Sequence, residues 1–518
     1  MADIPKGLGS MKDLLARFSK AEGRWQLWRS IHQEAFDYAA PERETFRFRS
    51  PGQRKNRHIF DSTAVLGLTQ FASRIQGSVV PSWQQWMTFA AGDEIPKEEK
   101  DKANELLEDS TDIFFSHINH SNFSTEITPS LSDLGIGTGA ILIEEGPFSS
   151  SNTLRFSNVP LAELYPEKGS GGPVESTWRK QSVLPKNIPA TWPEAELPSK
   201  LLAMVKDENA NEVEIKTGML LNEDDGKYYQ LVIFEEDLIF SQAFDTKRLI
   251  VFRWHVTPGE VFGRGPIMQV MADIRTANKV KQFLLENAAI QMAGIYTGVS
   301  DGAFNPHTVR IAPGVVMPVS SNNTQNPSLA SLTPSGNLGL GDLILEDLQT
   351  NIKKALLVDP LGEVTDPVKS ATEQIIRNQE SLKLQGASLG RLKSELIEPL
   401  VNAVVDILRG LGKMSEFTVD GNEVTIKQQS PLAKAEDLED FQNSQVWFNS
   451  LQALPEEVVA GVVKVEDLPK FWADKLGVPA SLIRDEEEIQ RLASAVSEAA
   501  ESGLETGGLQ SGGLRAVS

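Results

Sequence analysis

The sequence predicts an α+β protein with several long helices, and three observations carry that prediction. Apolar residues recur three or four apart over long stretches toward both ends of the chain. Between about residues 140 and 255 the pattern changes to short apolar runs parted by turn-rich segments such as EKGSGGP and NEDDGK. These strands cluster instead of alternating one by one with helices, so a regular βαβ sheet is not expected.

Residues 10 to 40 place Leu14, Phe18, Trp25, Trp28, Ile31, Ala35 and Tyr38 on one side of a helix that ends at Pro41. Asp61 reads as the N-cap of a second helix with Val65, Leu68, Phe71 and Ile75 on one face. A third helix covers residues 98 to 118. Strands follow in AILIEEG, LRFSNVP, YYQLVIFEEDLIF and RLIVFRWHV. After Gly265-Pro266, PIMQVMADIRTANKVKQFLLENAAIQMAG reads as one helix of roughly 28 residues, on the order of 40 Å long. Pro266 sits in its first turn and Gly294 just past its end. Its apolar stripe is Ile267, Val270, Met271, Ile274, Ala277, Val280, Leu284 and Ala288. Residues 295 to 338 return to strand and turn, and a helix follows at 341 to 357.

Then KKALLVDPLGEVTDPVKSATEQ interrupts the helical pattern with two Asp-Pro steps, Asp359-Pro360 and Asp366-Pro367. Proline lacks an N–H and disfavours helix in the residue before it, so this segment is non-helical. Ser370 and Glu373 form a capping box for a helix running toward Leu408, on the order of 55 Å if unbroken. Leu389, Leu392, Leu396, Leu400, Val404 and Leu408 hold one face, and Pro399 is expected to kink it. EFTVDGNEVTIKQ reads as a hairpin turning at Asp420-Gly421. Residues 432 to 497 read as a small acidic helical module, and the Gly/Ser-rich end ESGLETGGLQSGGLRAVS as disordered.

The net charge of −21 over 518 residues argues against a protein that wraps nucleic acid with a basic face, though not against one that lets nucleic acid slide past. With no cysteine there are neither disulfides nor thiolate metal sites. The N-terminal stretch MADIPKGLGSMKDLLARFSK has no apolar h-region, so no secretory signal is expected. No window approaches the roughly 18 apolar residues of a membrane span. The basic run is Arg43, Arg47, Arg49, Arg54, Lys55 and Arg57, interleaved with Phe46 and Phe48. It fits either base stacking on a single strand or a surface arm that meets an acidic neighbour.

Several fragments imitate catalytic motifs and fail on context. Gly135-Ile136-Gly137-Thr138-Gly139 lies between a helix and a following strand, the reverse of a dinucleotide loop. Gly412-Lys413 is followed by Met414, so no phosphate-cradling loop is present there. LVIFEEDL resembles an acidic magnesium strand but lacks that loop as its partner. His117 and His120 lack the H-E-x-x-H frame, and the six histidines show no metal spacing. No catalytic residue, metal or cofactor is therefore expected, and the chain reads as structural rather than enzymatic.

The ordered set YAAPERETF, FDSTAVLGLTQFASRIQGSVVPSWQQWMTF, LSDLGIGTGAILIEE and RWHVTPGEVFGRGPIMQVMADIRTANKVKQFLLENAAI resembles the head-to-tail connector, or portal, proteins of short-tailed bacteriophages. The likeness covers roughly residues 20 to 410 and lies in the collinear order of these pieces. It implies a portal fold in a ring of twelve copies at a capsid vertex, with long stem helices lining a central channel. By it, residues 1–260 are the wing, 261–293 and 341–357 the stem helices and 294–340 the clip. Residues 358–369 are the tunnel loop, 370–431 the long kinked wing helix with its hairpin, and 432–498 the crown.

The resemblance implies passage of double-stranded DNA through the channel in packaging and ejection. It implies contacts with capsid and scaffold proteins, the packaging terminase and then a tail adaptor, in the virion after assembly in the host cytoplasm. Asp359, Pro360, Glu363, Asp366 and Pro367 become candidates for the DNA-facing loop, and Lys353, Lys354 and Lys369 for diffuse phosphate contacts. The acidic loop would repel the duplex and its prolines would stiffen it. Two alternatives remain, a tail adaptor and a packaging-machine enzyme such as a nuclease or ATPase. Ring formation by the protein alone counts against the first, and absence of hydrolysis or DNA cleavage against the second.

Overall fold

The computed structural model describes residues 3–43, 45–46, 52–92, 95–146, 152–169, 172–293, 295–298, 329–332, 338–358, 388–414, 424–428, 431–451, 468–476 and 478. In chain order the helices are α1 (Met11–Ala39), α2 (Thr63–Val79), α3 (Lys97–His120), α4 (Phe123–Ile136), α5 (Ile188–Thr191) and α6 (Ser199–Lys206). Then come α7 (Pro266–Gln269), α8 (Met271–Ala293), α9 (Leu338–Ala355), α10 (Glu398–Gly410), α11 (Pro431–Leu451) and α12 (Leu468–Leu476). The strands are β1 (Met87–Ala91), β2 (Thr138–Glu145), β3 (Leu154–Asn158), β4 (Leu164–Pro166), β5 (Thr177–Val183) and β6 (Val213–Leu221). They continue with β7 (Tyr228–Phe234), β8 (Asp237–Phe244), β9 (Leu249–Arg253), β10 (Ile295–Gly298), β11 (Leu329–Leu332) and β12 (Val424–Gln428). The mixture is α+β, and the chain divides into two compact units.

The first unit holds residues 1–74, 125–142 and 157–399. Its centre is a five-stranded antiparallel meander, β4-β5-β6-β7-β8. The run YYQLVIFEEDLIF is two strands rather than one, because Glu235 turns the chain at a positive φ of 53°. One face of the meander is covered by α1, whose Phe18 meets Tyr165 and Trp178 at ring distances of 5.5 and 5.7 Å. On the other face Ile188, Trp192 and Leu201 pack with Ile215, Val232 and Ile239. Ser10 and Asp13 close a capping box at the start of α1. The inward stripe of α1 differs from expectation at one step, since Ile31 is exposed and His32 is buried. His32 lies among the rings of Trp28, Phe46 and Phe262, and both its ring nitrogens lack a hydrogen-bond partner. Burial alone pulls its pKa down to about 3, so it is neutral at pH 7.

Beside the meander, β2 pairs antiparallel with β9, from Thr138↔Arg253 to Leu142↔Leu249. Arg253 at the end of β9 is buried and grips Glu395 through two nitrogens, at 2.6 and 3.1 Å. It also donates to the carbonyls of Val261 and Gly172. Glu395 lies in a π-helical turn, Lys393–Ile397, just ahead of Pro399. A wider turn is a known response to a proline that can neither donate nor fit beneath the preceding turn.

The second unit holds residues 75–124, 143–156 and 400–518. Here β12 pairs antiparallel with β1, with Phe89 opposite Ile426. The expected hairpin turn Asp420-Gly421 lies outside the described residues, and the partner that β12 does show is β1. Helix α3 covers β1, with Phe114 and Phe115 edge-on to Trp86, and Thr111 accepts a bond from the Phe89 N–H. Leu400, Val404 and Leu408 of α10 are buried, on the expected face. Helices α11 and α12 pair through Trp472, which sits edge-on to Phe441 and Phe448. Lys475 bridges Asp437 and Asp440, each at 2.8 Å.

Candidate functional site

The helix pair α8 and α9, to the end of α9, is the candidate site. Helix α8 leads into β10, β10 pairs antiparallel with β11, and β11 leads back into α9. The two helices thus form an antiparallel arm, and Leu284 of α8 meets α9 at Gly341, where an added Cβ would lie 2.7 Å from Leu284 Cδ2.

The root of this arm is a crossing of two glycine-rich backbones. An added Cβ on Gly137 would stand 2.1 Å from the Gly263 carbonyl oxygen, and one on Gly265 2.3 Å from the Gly135 oxygen. The Gly265 N–H donates to the Ile136 carbonyl at 2.8 Å, and the Gly263 N–H to Thr138 Oγ1 at 2.8 Å. The glycines of GIGTG, at the junction of α4 and β2, therefore permit close backbone approach to residues 263–265. Pro266 opens α7 directly beyond the crossing, and Val270, at φ −105° and ψ 18°, separates α7 from α8. The single helix expected from the apolar stripe is broken at that point.

A second set of contacts splints the arm from the side. Asn278 of α8 is buried, and its Oδ1 accepts from the N–H groups of Phe60 (2.7 Å) and Asp61 (3.1 Å). Its Nδ2 donates to the His58 carbonyl. Asp61 Oδ1 accepts from the Thr63 N–H and hydroxyl, and from Gln349 Nε2 of α9 at 3.1 Å. Asp61 thus works one residue ahead of the N-cap position assigned to it, and joins the start of α2 to α9. Further along, Leu356 at the end of α9 is buried against Gly67, where a Cβ would lie 2.6 Å from Leu356 Cδ1. Arg74 donates to the Leu357 carbonyl at 2.6 Å.

The end of α9 is closed by a Schellman motif. The Leu357 N–H bonds to the Lys354 carbonyl and the Val358 N–H to the Lys353 carbonyl. The residue in the left-handed position is a leucine, Leu357, at φ 60°. That conformation costs an L-residue roughly 1–2 kcal/mol, and Arg74 and the buried Leu356 hold it in place. At the end of α10 the same motif carries Gly412 at φ 65°, so Gly412-Lys413 is a helix terminator.

Of the residues singled out in the sequence, Lys353 and Lys354 are exposed on the last turn of α9. Asp359, Pro360, Glu363, Asp366, Pro367 and Lys369 lie outside the described residues, as do Arg47, Arg49 and Phe48. The basic run is not one surface. Arg43 is tied to buried Asp133, with its Nη2 2.9 Å from each carboxylate oxygen, while Arg54 and Arg57 are exposed. Lys55 donates to the Glu42 carbonyl. Burial pushes the Asp133 carboxyl up to about 6, against the opposing pull of Arg43. Phe46 is buried and stacked on Trp25 at 5.9 Å, so it belongs to a core and base stacking is excluded for it. His117 bonds to Thr153 and His120 to the Ser116 carbonyl. Among the described residues no group of three or more His, Asp or Glu gathers as a metal site, and no helix is long and apolar enough to cross a membrane.

Asn278, Gln349, Arg74 and Leu357 were not singled out by sequence. The only signal pointing to Asn278 is a polar residue within an otherwise apolar stripe, between Ala277 and Val280. The family described as bacteriophage head to tail connecting protein matches residues 11–483. The chain belongs to that family. It is similar also to a probable portal protein of Bordetella phage BPP-1, at 21% identity over 532 residues, covering 91% of this chain and 88% of that protein. The connector is a component of the phage head at its junction with the tail, with capsid and tail as its neighbours.

Proposed function

We propose that this connector subunit is a portal protein, assembling as a ring of twelve copies around a DNA channel at one capsid vertex of a short-tailed phage. In this proposal residues 261–293 and 341–357, which hold α7, α8 and most of α9, are the stem, 294–340 the clip, 1–260 and 370–431 the wing, and 432–498 the crown. Residues 358–369 are the tunnel loop against the duplex. The ring admits the genome during packaging, retains it and releases it on ejection, while a separate terminase supplies the motive force. Capsid and scaffold proteins surround it during assembly in the host cytoplasm, and a tail adaptor follows the terminase at the clip.

The observation that supports this best is the arm itself. Two antiparallel helices of 23 and 18 residues extend roughly 35 and 27 Å at the standard rise. The end of α9 is fixed on three counts where the proposed loop begins, by Leu356 on Gly67, by Arg74 on the Leu357 carbonyl and by the Schellman bonds. A loop that meets moving DNA needs such a rigid base. Lys353 and Lys354 at that end would give weak, sequence-independent phosphate contacts. The test is negative-stain electron microscopy of the purified protein, with native mass to count subunits. Rings of about twelve copies with a central hole support the proposal. A stable monomer that also fails to ring with capsid and scaffold proteins overturns it. Replacing Pro360 and Pro367 together should leave rings intact and impair packaging or DNA retention, whereas collapse of assembly would make the loop a structural element.

A further inference from the structure

The outer half of α8 carries more apolar surface than α9 can cover. Phe283, Leu285 and Met292 are 56%, 50% and 83% exposed, and Ile290, Leu340 and Ile344 are exposed as well. Their positions around the helix are not random. At about 100° per residue, Phe283 and Ile290, seven positions apart, fall on one line, and so do Leu285 and Met292. The two lines lie about 200° apart, on opposite sides of the helix. Leu284, which meets α9 at Gly341, points midway between them. The Leu285–Met292 line prolongs the stripe that buries Ile274 and Asn278 nearer the root, so that stripe runs on past its cover. Because α9 returns antiparallel, Leu340 and Ile344 fall on the Phe283 side of the arm. The arm therefore has two different apolar flanks facing away from each other.

A single partner seated on one side leaves the other flank in water. A closed ring of identical copies needs the opposite arrangement, since head-to-tail contacts join two unlike surfaces on opposite sides of each subunit. We propose that the Phe283–Ile290–Leu340–Ile344 flank of one copy packs on the Leu285–Met292 flank of the next, and that this contact closes the ring. Phe283 is the aromatic anchor of the contact, the kind of residue on which interfaces concentrate their binding energy. This deepens the ring proposal and rests on it.

Two variants test the contact, each disabling one flank: F283D with I290D, and L285D with M292D. All four positions are exposed, so both proteins should keep the helical circular dichroism of the parent. If either does not, the corresponding serine pair replaces it. Native mass spectrometry is run on each protein alone and on their equimolar mixture. Each variant alone should be monomeric, and the mixture should give one-to-one heterodimers that grow no further, because only one good flank pair can form. Rings of parent protein together with rings of either variant would overturn the flank contact and leave the ring proposal standing. Dimers of a single variant alone would show like flanks pairing, and would also overturn it. Absence of rings in the parent protein, both alone and with capsid and scaffold proteins, would instead overturn the ring proposal itself.

Discussion

Replacing His32 by leucine should change how the protein responds to acid. The imidazole is fully buried, has no hydrogen-bond partner, and is held neutral down to about pH 3 against an ordinary value of 6.5. In the unfolded chain it takes up a proton near pH 6.5. Between those values the unfolded state binds more protons than the folded one, so stability is full above pH 6.5 and falls as the pH drops. From pH 7 to pH 5 the loss is about 1.5 pH units at 1.36 kcal/mol each, or about 2 kcal/mol. Asp133 works the other way, because its folded value of about 6 lies above the ordinary 3.8. Its charged form destabilises the fold above pH 6, and protonation relieves that as the pH falls from 6 toward 3.8. The wild-type profile between pH 7 and 5 is therefore flattened by cancellation, and the difference between H32L and wild type isolates the histidine. Leucine has nearly the volume of the imidazole and leaves no unmet polar atom, so H32L should be at least as stable at pH 7. Urea unfolding followed by tryptophan fluorescence should show H32L gaining about 2 kcal/mol on wild type between pH 7 and pH 5. Parallel profiles for the two proteins would refute a buried, neutral His32.

Four other substitutions probe the framework. Gly137→Ala forces a Cβ to within 2.1 Å of a backbone oxygen, and should abolish soluble expression or lower Tm sharply. Gly390→Ala, with nothing within 4 Å, should be neutral or slightly stabilising. Glu395→Gln strips the buried Arg253 of its counter-charge and should cost about 3–5 kcal/mol by denaturant titration, while E395Q with R253M should recover part of that loss. Asn278→Ala leaves the Phe60 and Asp61 N–H groups without their acceptor, at about 1–3 kcal/mol for each group that water cannot reach. Its mark in hydrogen exchange should be faster exchange at residues 58–63 with the meander unchanged.

Much of the fold is legible in the sequence because it is written in periodicity. The stripes of α2 and of the late helix, from Leu68, Phe71 and Ile75 to Leu396, Val404 and Leu408, are the buried positions of the structure. What periodicity cannot carry is an unusual occupant or a distant partner. His32 occupies an apolar slot next to an isoleucine that is left outside, a choice made by Trp28 one turn away and by Phe46 and Phe262 from other parts of the chain. The pairing of β12 with β1 joins strands more than three hundred residues apart, and no local turn signal encodes it. The basic run looks continuous on paper, yet its first arginine turns inward to Asp133, because a buried carboxylate needs a cation more than the surface does. At the candidate site, the glycine phrases GIGTG and GRGP are visible in sequence, but that they cross each other is visible only in space. Asn278 and Arg74 act through backbone groups, which carry no signature of residue type.

That the end of α9 stands beside DNA can be tested by placing a single reactive thiol there, since the chain has no cysteine of its own. Lys354→Cys, carrying a short photo-crosslinker, would be incorporated into DNA-filled heads and irradiated, with Glu208→Cys, exposed at the end of α6, as the reference. A channel lined by this arm predicts strong adducts with DNA at position 354 and few at position 208. Equal yields at the two positions, or adducts at position 208 alone, would contradict it.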